Sequence, residues 1–308
     1  MKKVIVSIVV LLSLIVAGCS TDSPAENNGD NQENEKDGQV TVGLSVSTLN
    51  NPFFVTLKEG AESAAEEHGV ELTVADAQDD PAKQVSDIED LIQQGVDVLV
   101  INPTDSAAVV SAIESANDAG IPVITVDRSA EGGEVVSHIA SDNVAGGEMA
   151  GKFIVEKLGG EGRVVELEGI PGSSAARERG EGFHNIVDHE AGIEVVAKQP
   201  ADFDRAKGLT VMENIIQATP DFEAVFAHND EMALGALQAL EAAGMEDVMV
   251  VGFDATDDAV KSVEEGKMAA TIAQQPEIIG STGIETAVKV ANGEDVEEFI
   301  PVELQLVE

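Results

Sequence analysis

From Gln39 onward, short runs of valine, isoleucine and leucine alternate with alanine-rich segments whose apolar positions recur every three or four residues. V-T-V-G-L-S-V-S from Val40, V-E-L-T-V-A-D from Val70, V-D-V-L-V-I-N from Val96 and I-P-V-I-T-V-D from Ile121 are predicted strands, with helices between them. The runs are continuously apolar rather than alternating, which predicts strands buried on both faces of a parallel sheet covered by helices. A second series follows: R-V-V-E-L-E-G from Arg163, I-E-V-V-A-K-Q from Ile193, A-V-F-A-H-N-D from Ala224, V-M-V-V-G-F-D from Val248 and M-A-A-T-I-A-Q from Met268. Residues 39 to 308 outrun what one hydrophobic core usually serves, so the pattern predicts two similar doubly wound α/β lobes. S-H-I-A-S-D-N, from Ser137 to Asn143, lies between the two series and is the candidate for the first crossover.

The residues before Gln39 have a different character. Lys2 and Lys3 precede an apolar run from Val4 to Val16, then Ala17, Gly18 and Cys19, the single cysteine of the chain. A charged start, a run too short for a comfortable membrane span and a small-residue end read as a secretory signal over residues 1–18. The V-A-G-C ending resembles a bacterial lipobox, which implies cleavage before Cys19 and a lipid on its sulfur. Residues 20 to 38 hold no aliphatic side chain larger than alanine and cannot offset their ordering entropy, so 19–38 is expected to be an acidic, disordered tether. The expected location is extracytoplasmic, with a lipid anchor as the only hold on the membrane.

Charge narrows the possible partners. Against 58 acidic residues stand 17 basic ones, for a net −41, so nucleic acid and anionic lipid are poor partners. Because charged residues make up an ordinary 24% of the chain, the skew reflects acidic replacing basic, as on proteins of high-salt environments. A lone cysteine leaves internal disulfides out, and stability must come from the core.

Ligands of open α/β sheets bind outside the carboxyl ends of the strands. Those ends are Asn50 and Asn51, Asp76, Asn102, Asp127 with Arg128, Asp142, Asn229 with Asp230, Asp254 and Gln274. Asp76, Asp142 and Asp230 are expected to be helix caps, a role that Arg128 cannot fill. Asn102 precedes Pro103 and could simply enter a turn. With no tryptophan, no tyrosine and 9 phenylalanines, the chain spends two of its scarce rings at Phe53 and Phe54, beside Asn50 and Asn51. Such a cluster serves either the core at the start of the first helix or a stacking platform for a sugar, with amides to bond its hydroxyls.

No catalytic constellation competes, and no cofactor or metal is expected. His68, His138, His184, His189 and His228 lack metal-ligand spacing and are expected at the surface or in turns. Glycine-rich phosphate loops are absent, and Ser173 and Ser174 lack the second glycine of a nucleophile elbow. Those serines are expected to cap the helix that carries Arg177 and Arg179.

A resemblance then becomes specific. S-T-L-N-N-P-F-F, I-N-P-T-D-S, V-I-T-V-D-R, S-A-A-R-E-R-G-E-G-F, Q-P-A-D-F-D-R, N-D-E-M-A-L-G-A-L and A-A-T-I-A-Q resemble the bacterial ribose-binding family of the periplasmic binding protein superfamily, nearly without gaps from about residue 40 to 308. The resemblance implies a type I fold: two Rossmann-like lobes with parallel sheets, joined by a three-segment hinge. Residues 39–141 plus 275–303 would form the N-terminal lobe and 142–274 plus 304–308 the C-terminal one. It implies that Phe53, Phe54 and Phe203 sandwich a sugar ring, and that Asn51, Asn102, Asp127, Arg128, Arg179, Asn229, Asp254 and Gln274 bond its hydroxyls. D-ribose or a similar neutral monosaccharide is the implied ligand and an ABC permease the implied partner of a monomer, with a chemoreceptor left open. Two carboxylates against two guanidiniums suit a neutral polyol. A different small neutral polyol or furanose-like signalling molecule as ligand, a regulator's ligand-sensing domain and a sugar-processing enzyme are the alternatives. The last two would need a DNA-binding helical pair or a general acid, and neither is evident.

Overall fold

The computed structural model describes residues 38 to 308; the signal, Cys19 and tether readings lie outside them. The chain begins β1 (Thr41–Val46), α1 (Pro52–His68), β2 (Glu71–Asp76), α2 (Pro81–Gln94), β3 (Val98–Ile101), α3 (Val110–Asp118), β4 (Val123–Val126) and β5 (Ser137–Ser141). It continues α4 (Asn143–Leu158), β6 (Glu161–Glu168), α5 (Ser174–Val187), β7 (Gly192–Pro200), α6 (Arg205–Ala218), β8 (Ala224–Ala227), α7 (Asp230–Ala243), β9 (Met249–Asp254), α8 (Asp257–Glu264) and β10 (Ala270–Ala273). α9 (Pro276–Ala291), β11 (Phe299–Val302) and β12 (Gln305–Val307) complete it.

Two six-stranded sheets result, ordered β11-β5-β4-β3-β1-β2 and β12-β10-β9-β8-β6-β7. Without their outermost late strands they share one doubly wound order. In each, strand order reverses once, between β1 and β3 and between β6 and β8, and such reversals are where crevices for ligands open. Each sheet carries an apolar core on both faces. In the first, Leu57, Ala61 and Ile284 pack on one side while Ile88, Leu91 and Ile113 pack on the other. In the second, Met212 and Leu240 oppose Phe183 and Phe226. This two-sided burial is the physical reason the strands read as continuous apolar runs.

Two readings are corrected here. Ser137–Ser141 is a strand, pairing with β4 and β11 in parallel, and the chain leaves the first sheet only after it. The C-terminal strands went unread because Phe299–Val302 contains Pro301 and Gln305–Val307 is three residues long. β12 runs antiparallel to β10, so the second sheet is not wholly parallel.

Local signals explain the helix starts. Pro52, Pro81 and Pro276 occupy first-turn positions that need no backbone donor, and Asn51, Asp80, Asp142, Asp204 and Asn229 cap with their side chains. α4 and α5 approach closely because a Cβ on Gly147 would collide with the Arg179 carbonyl and one on Gly182 with that of Val144. That contact sets where α5, and with it Arg179, stands.

Candidate functional site

The carboxyl ends of the two sheets face one another, and the residues after them meet in one cavity. It is small and lined by Asn51, Phe53, Phe54, Asp127, Arg128, Ala175, Arg179, Phe203, Asn229, Asp254 and Gln274. A larger cleft adjoins it and shares Phe53, Asp254 and Gln274 with it, but holds neither arginine of the cavity.

Each wall residue is placed by local chemistry. Asn51 caps α1 by accepting from the Phe53 amide at 2.9 Å, which turns both rings toward the cavity. Phe53 and Phe54 meet edge to face, centroids 5.1 Å apart. Both belong to the core at the start of α1 and also line the cavity. Asn229 caps α7 through Met232 N at 3.0 Å. Asp127, Phe203 and Asp254 take positive φ values of 62°, 60° and 118°. Non-glycine residues held there cost about 1–3 kcal/mol each, and such strain gathers at ligand sites.

The two guanidiniums are fixed by aromatic faces. Arg128 lies 5.0 Å from the Phe54 centroid and 5.1 Å from that of Phe203, linking rings from opposite sheets. Arg179 stacks on Phe253 at 3.8 Å, donates from Nε to Asn143 Oδ1 at 2.9 Å and from Nη1 to the His228 carbonyl at 2.6 Å. Each stands 3.6 Å from one carboxylate, Arg128 from Asp127 and Arg179 from Asp254. Gln274 Nε2 donates to Asp254 Oδ1 at 2.9 Å. Within this shell Asp127 Oδ1, Arg128 Nε and Gln274 Oε1 are buried and make no hydrogen bond to the chain, leaving two acceptors and one donor for a guest.

Burial raises the Asp127 and Asp254 carboxyls above the ordinary range, against the pull of Arg128 and Arg179 respectively, and lowers Arg128 against the pull of Asp127. Asp230 adds a third carboxylate behind Asp254. It was expected to cap a helix, yet Asn229 is the cap and Asp230 is fully buried. It accepts from Thr256 N, Thr256 Oγ1 and Thr271 Oγ1 at 2.8, 3.2 and 2.7 Å, and burial pushes it up to about 7. The balance of two charges against two read from sequence therefore omitted a group.

Ten of the eleven residues expected to bind ligand line the cavity. Asn102 stands behind it: its amide donates to Asp127 Oδ2 at 3.1 Å and Val126 O at 3.2 Å, and its carbonyl accepts from Ser47 N, so it orients Asp127. Arg179 is buried while Arg177 is exposed, paired with Glu131 at 3.0 Å. Asp142 caps α4 as expected, whereas Asp76 instead binds Leu49 N and Gln78 N. Ser173 makes no cap bond, and Ser174 Oγ accepts from Ser129 N, from the loop after β4 in the first sheet. His138 is half-buried on β5 rather than at the surface or in a turn, and His228, in the turn after β8, is fully buried. Ala175, Asn143 and Glu166 were not anticipated. An alanine carries no chemical signal, and the other two act through neighbours that only the fold brings together.

A model of the periplasmic binding protein domain matches residues 42–295. The chain belongs to the periplasmic binding protein family. Members of this family work outside the cytoplasm. The chain is 55% identical to the ribose import binding protein of Bacillus subtilis over 99% of both chains. It is 59% identical to that of Escherichia coli, over 87% of this chain and 90% of the other. Among solved structures, an ABC transporter solute binding protein from Mycobacterium smegmatis with bound glycerol is 41% identical, with a TM-score of 0.85, covering 88% of this chain and 94% of that one. The relatives are binding proteins, and two α/β lobes with mostly parallel sheets are the fold of this periplasmic binding protein as well.

Proposed function

We propose that this periplasmic binding protein captures D-ribose between its lobes and delivers it to an ABC permease, without chemical conversion. The observation that carries this is the set of groups without a hydrogen bond, Asp127 Oδ1, Arg128 Nε and Gln274 Oε1, buried beside Phe53, Phe54 and Phe203. Hydroxyl groups both donate and accept, so a small polyol satisfies all three, while the rings cover its C–H faces. The ribose import relatives at 55% and 59% identity select ribose among such polyols. Glycerol in the Mycobacterium smegmatis protein keeps another small neutral polyol as the second reading.

The lobes we propose are 39–141 plus 275–303 and 142–274 plus 304–308, which follow the membership of the two sheets. For the N-terminal residues we propose a cleaved signal over 1–18, a lipid on Cys19 and a tether to 38, on the sequence argument alone. Closure by a monomer presents one surface made of both lobes to the permease.

Thermal unfolding and calorimetry of the full-length chain with D-ribose, ribose 5-phosphate and glycerol test the reading. Ribose should raise the melting temperature with concentration, as a ligand of the folded state must. Ribose 5-phosphate should not, because its phosphate would meet Asp127 and Asp254 with no spare cation. Equal shifts from the two sugars, or none from ribose, would sink the assignment.

A further inference from the structure

Behind the cavity lies a buried polar cluster that takes no part in lining it. Glu166 projects from β6 and is completely buried, as is His228 after β8. Glu166 Oε1 accepts from His228 Nε2 at 2.9 Å, and Oε2 lies 2.9 Å from His184 Nε2 on α5. Lys198 Nζ approaches Oε2 at 3.6 Å but bonds more closely to Glu168, at 3.1 Å. Glu166 thus ties two imidazoles together, one on a strand end and one on a helix.

The same strand end and helix meet again at the ligand side. Arg179, on α5 with His184, donates to the His228 carbonyl at 2.6 Å. The connections close a ring: Arg179 to the backbone of His228, His228 through its imidazole to Glu166, Glu166 to His184, and His184 along α5 back to Arg179. Packing supports it. Phe183 and Phe226 stack at 4.8 Å, Phe226 lies 5.2 Å from the His228 ring, and a Cβ on Gly180 would press on both Glu166 and His228 at 3.3 Å. His228 Nδ1 faces Gly169 N at 3.4 Å, and Gly169 abuts the Phe203 ring so closely that a Cβ there would overlap it. Both ring nitrogens of His228 are thus engaged.

We infer that Glu166 and His228 are positioning residues, a brace that fixes α5 against the end of β8 and thereby aims Arg179, and through Gly169 the Phe203 ring, at the bound sugar. This rests on the cavity's being the sugar site. A carboxylate suits the hub because it accepts from both imidazoles at once. Burial alone would raise Glu166, but the bonds from His184 and His228 overcome it and hold the group near 2. The bond from Glu166 likewise lifts His184 to about 9, so at neutral pH the hub's charge is matched by the histidine nearer solvent. A fully satisfied buried network is rigid, and a partly satisfied one is costly, so the device should tolerate only changes that keep the hydrogen bond.

The test uses four variants of the full-length chain, with ligand-free melting temperature and ribose affinity measured separately. Glu166→Gln keeps an acceptor for His228, and His228→Gln keeps a donor for Glu166; both should bind ribose within about threefold of wild type. Glu166→Ala and His228→Phe break the link and should bind at least about tenfold more weakly while remaining folded. If Glu166→Ala fails to fold, His228→Phe decides, since its ring refills the space beside Phe226. Unchanged affinity in His228→Phe, or equal losses in the Gln and non-hydrogen-bonding variants, would overturn the brace and leave Glu166 a purely structural group. If wild type takes no ribose, the sugar reading fails on its own. The brace is then judged by whether a crystal structure of His228→Phe keeps the Arg179 contact with the residue 228 carbonyl; retention overturns it.

Discussion

Truncating Arg179 to alanine removes more than a positive charge. The guanidinium donates to Asn143 Oδ1 and to the His228 carbonyl, stacks on Phe253 and stands 3.6 Å from Asp254, all under nearly complete burial. Without it, Asp254 keeps Gln274 but loses its cation, the His228 carbonyl is left without that donor, and any sugar hydroxyl facing the guanidinium loses it too. Removing one partner of a buried charge pair at a binding site costs about 2–5 kcal/mol of affinity. The low end corresponds to about 30-fold in Kd, at roughly 1.4 kcal/mol per tenfold. Asp254 can soften the loss by taking a proton, since burial already lifts its carboxyl. The expected result is therefore a drop of about 30-fold or more, growing as pH rises. Calorimetric titration of the full-length variant with ribose measures it, with circular dichroism to verify folding. Arg177→Ala is the control, because that side chain is exposed and its pair with Glu131 should contribute less than about 1 kcal/mol. Binding by folded Arg179→Ala within threefold of wild type, or a greater loss in Arg177→Ala, would refute the assignment of the buried arginine.

Three further outcomes are expected. With a net charge of −41, self-repulsion should make unfolding midpoints rise between 0.05 and 2 M sodium chloride, as the Debye length falls from about 10 Å at 0.1 M to about 3 Å at 1 M, while ribose affinity changes little; a flat stability curve would give the acidic skew another purpose. Asp230, held near 7 by burial, keeps in the fold a proton that the unfolded chain releases near its ordinary 3.8, so stability should decline as pH rises from about 4 to about 7. Asp230→Asn should flatten that decline in urea midpoints, leaving the part due to Asp127 and Asp254, and an unchanged slope would place the proton elsewhere. Cys19→Ser should release the protein into the medium of a Gram-positive host, because the acidic residues 20 to 38 cannot hold it to a membrane; retention with the signal removed would count against a lipid anchor.

Much of the site was legible because strand ends are local. A continuous apolar run that stops on Asp127-Arg128, Asn229 or Asp254 announces both the strand and the side chain at its mouth. Arg179 lies inside α5, well past the end of β6, and Phe203 is a lone ring after β7 that reads as core; only their resemblance to a known pattern drew them in. What escaped depended on contacts distant in sequence. Glu166 and His228 are separated by 62 residues yet bond at 2.9 Å, and Asp230 meets Thr271 across 41. Periodicity cannot reveal a polar residue inside a buried strand, because such a residue interrupts the apolar run in the same way as one that faces water. β12 was missed for a related reason, since three residues carry too little alternation to register.

The two lobes touch each other directly as well as around the cavity, and this bears on how a ligand drives closure. Ser106 N donates to the Gly172 carbonyl at 2.9 Å, Ser129 N to Ser174 Oγ at 2.9 Å, and Glu131 pairs with Arg177, so loops after β3 and β4 grip the loop and first turn of α5. These bonds favour closure whether or not a sugar is held. Opposing them, closure buries Asp127 Oδ1, Arg128 Nε and Gln274 Oε1, and an unsatisfied buried polar group costs about 1–3 kcal/mol. That cost offsets what two inter-lobe hydrogen bonds, one exposed ion pair and the Arg128–Phe203 contact contribute. A sugar whose hydroxyls satisfy all three removes the cost, and it can do so only where both lobes reach it. Ligand binding and closure are in that sense one equilibrium, with the direct contacts setting how little differential affinity the sugar must supply.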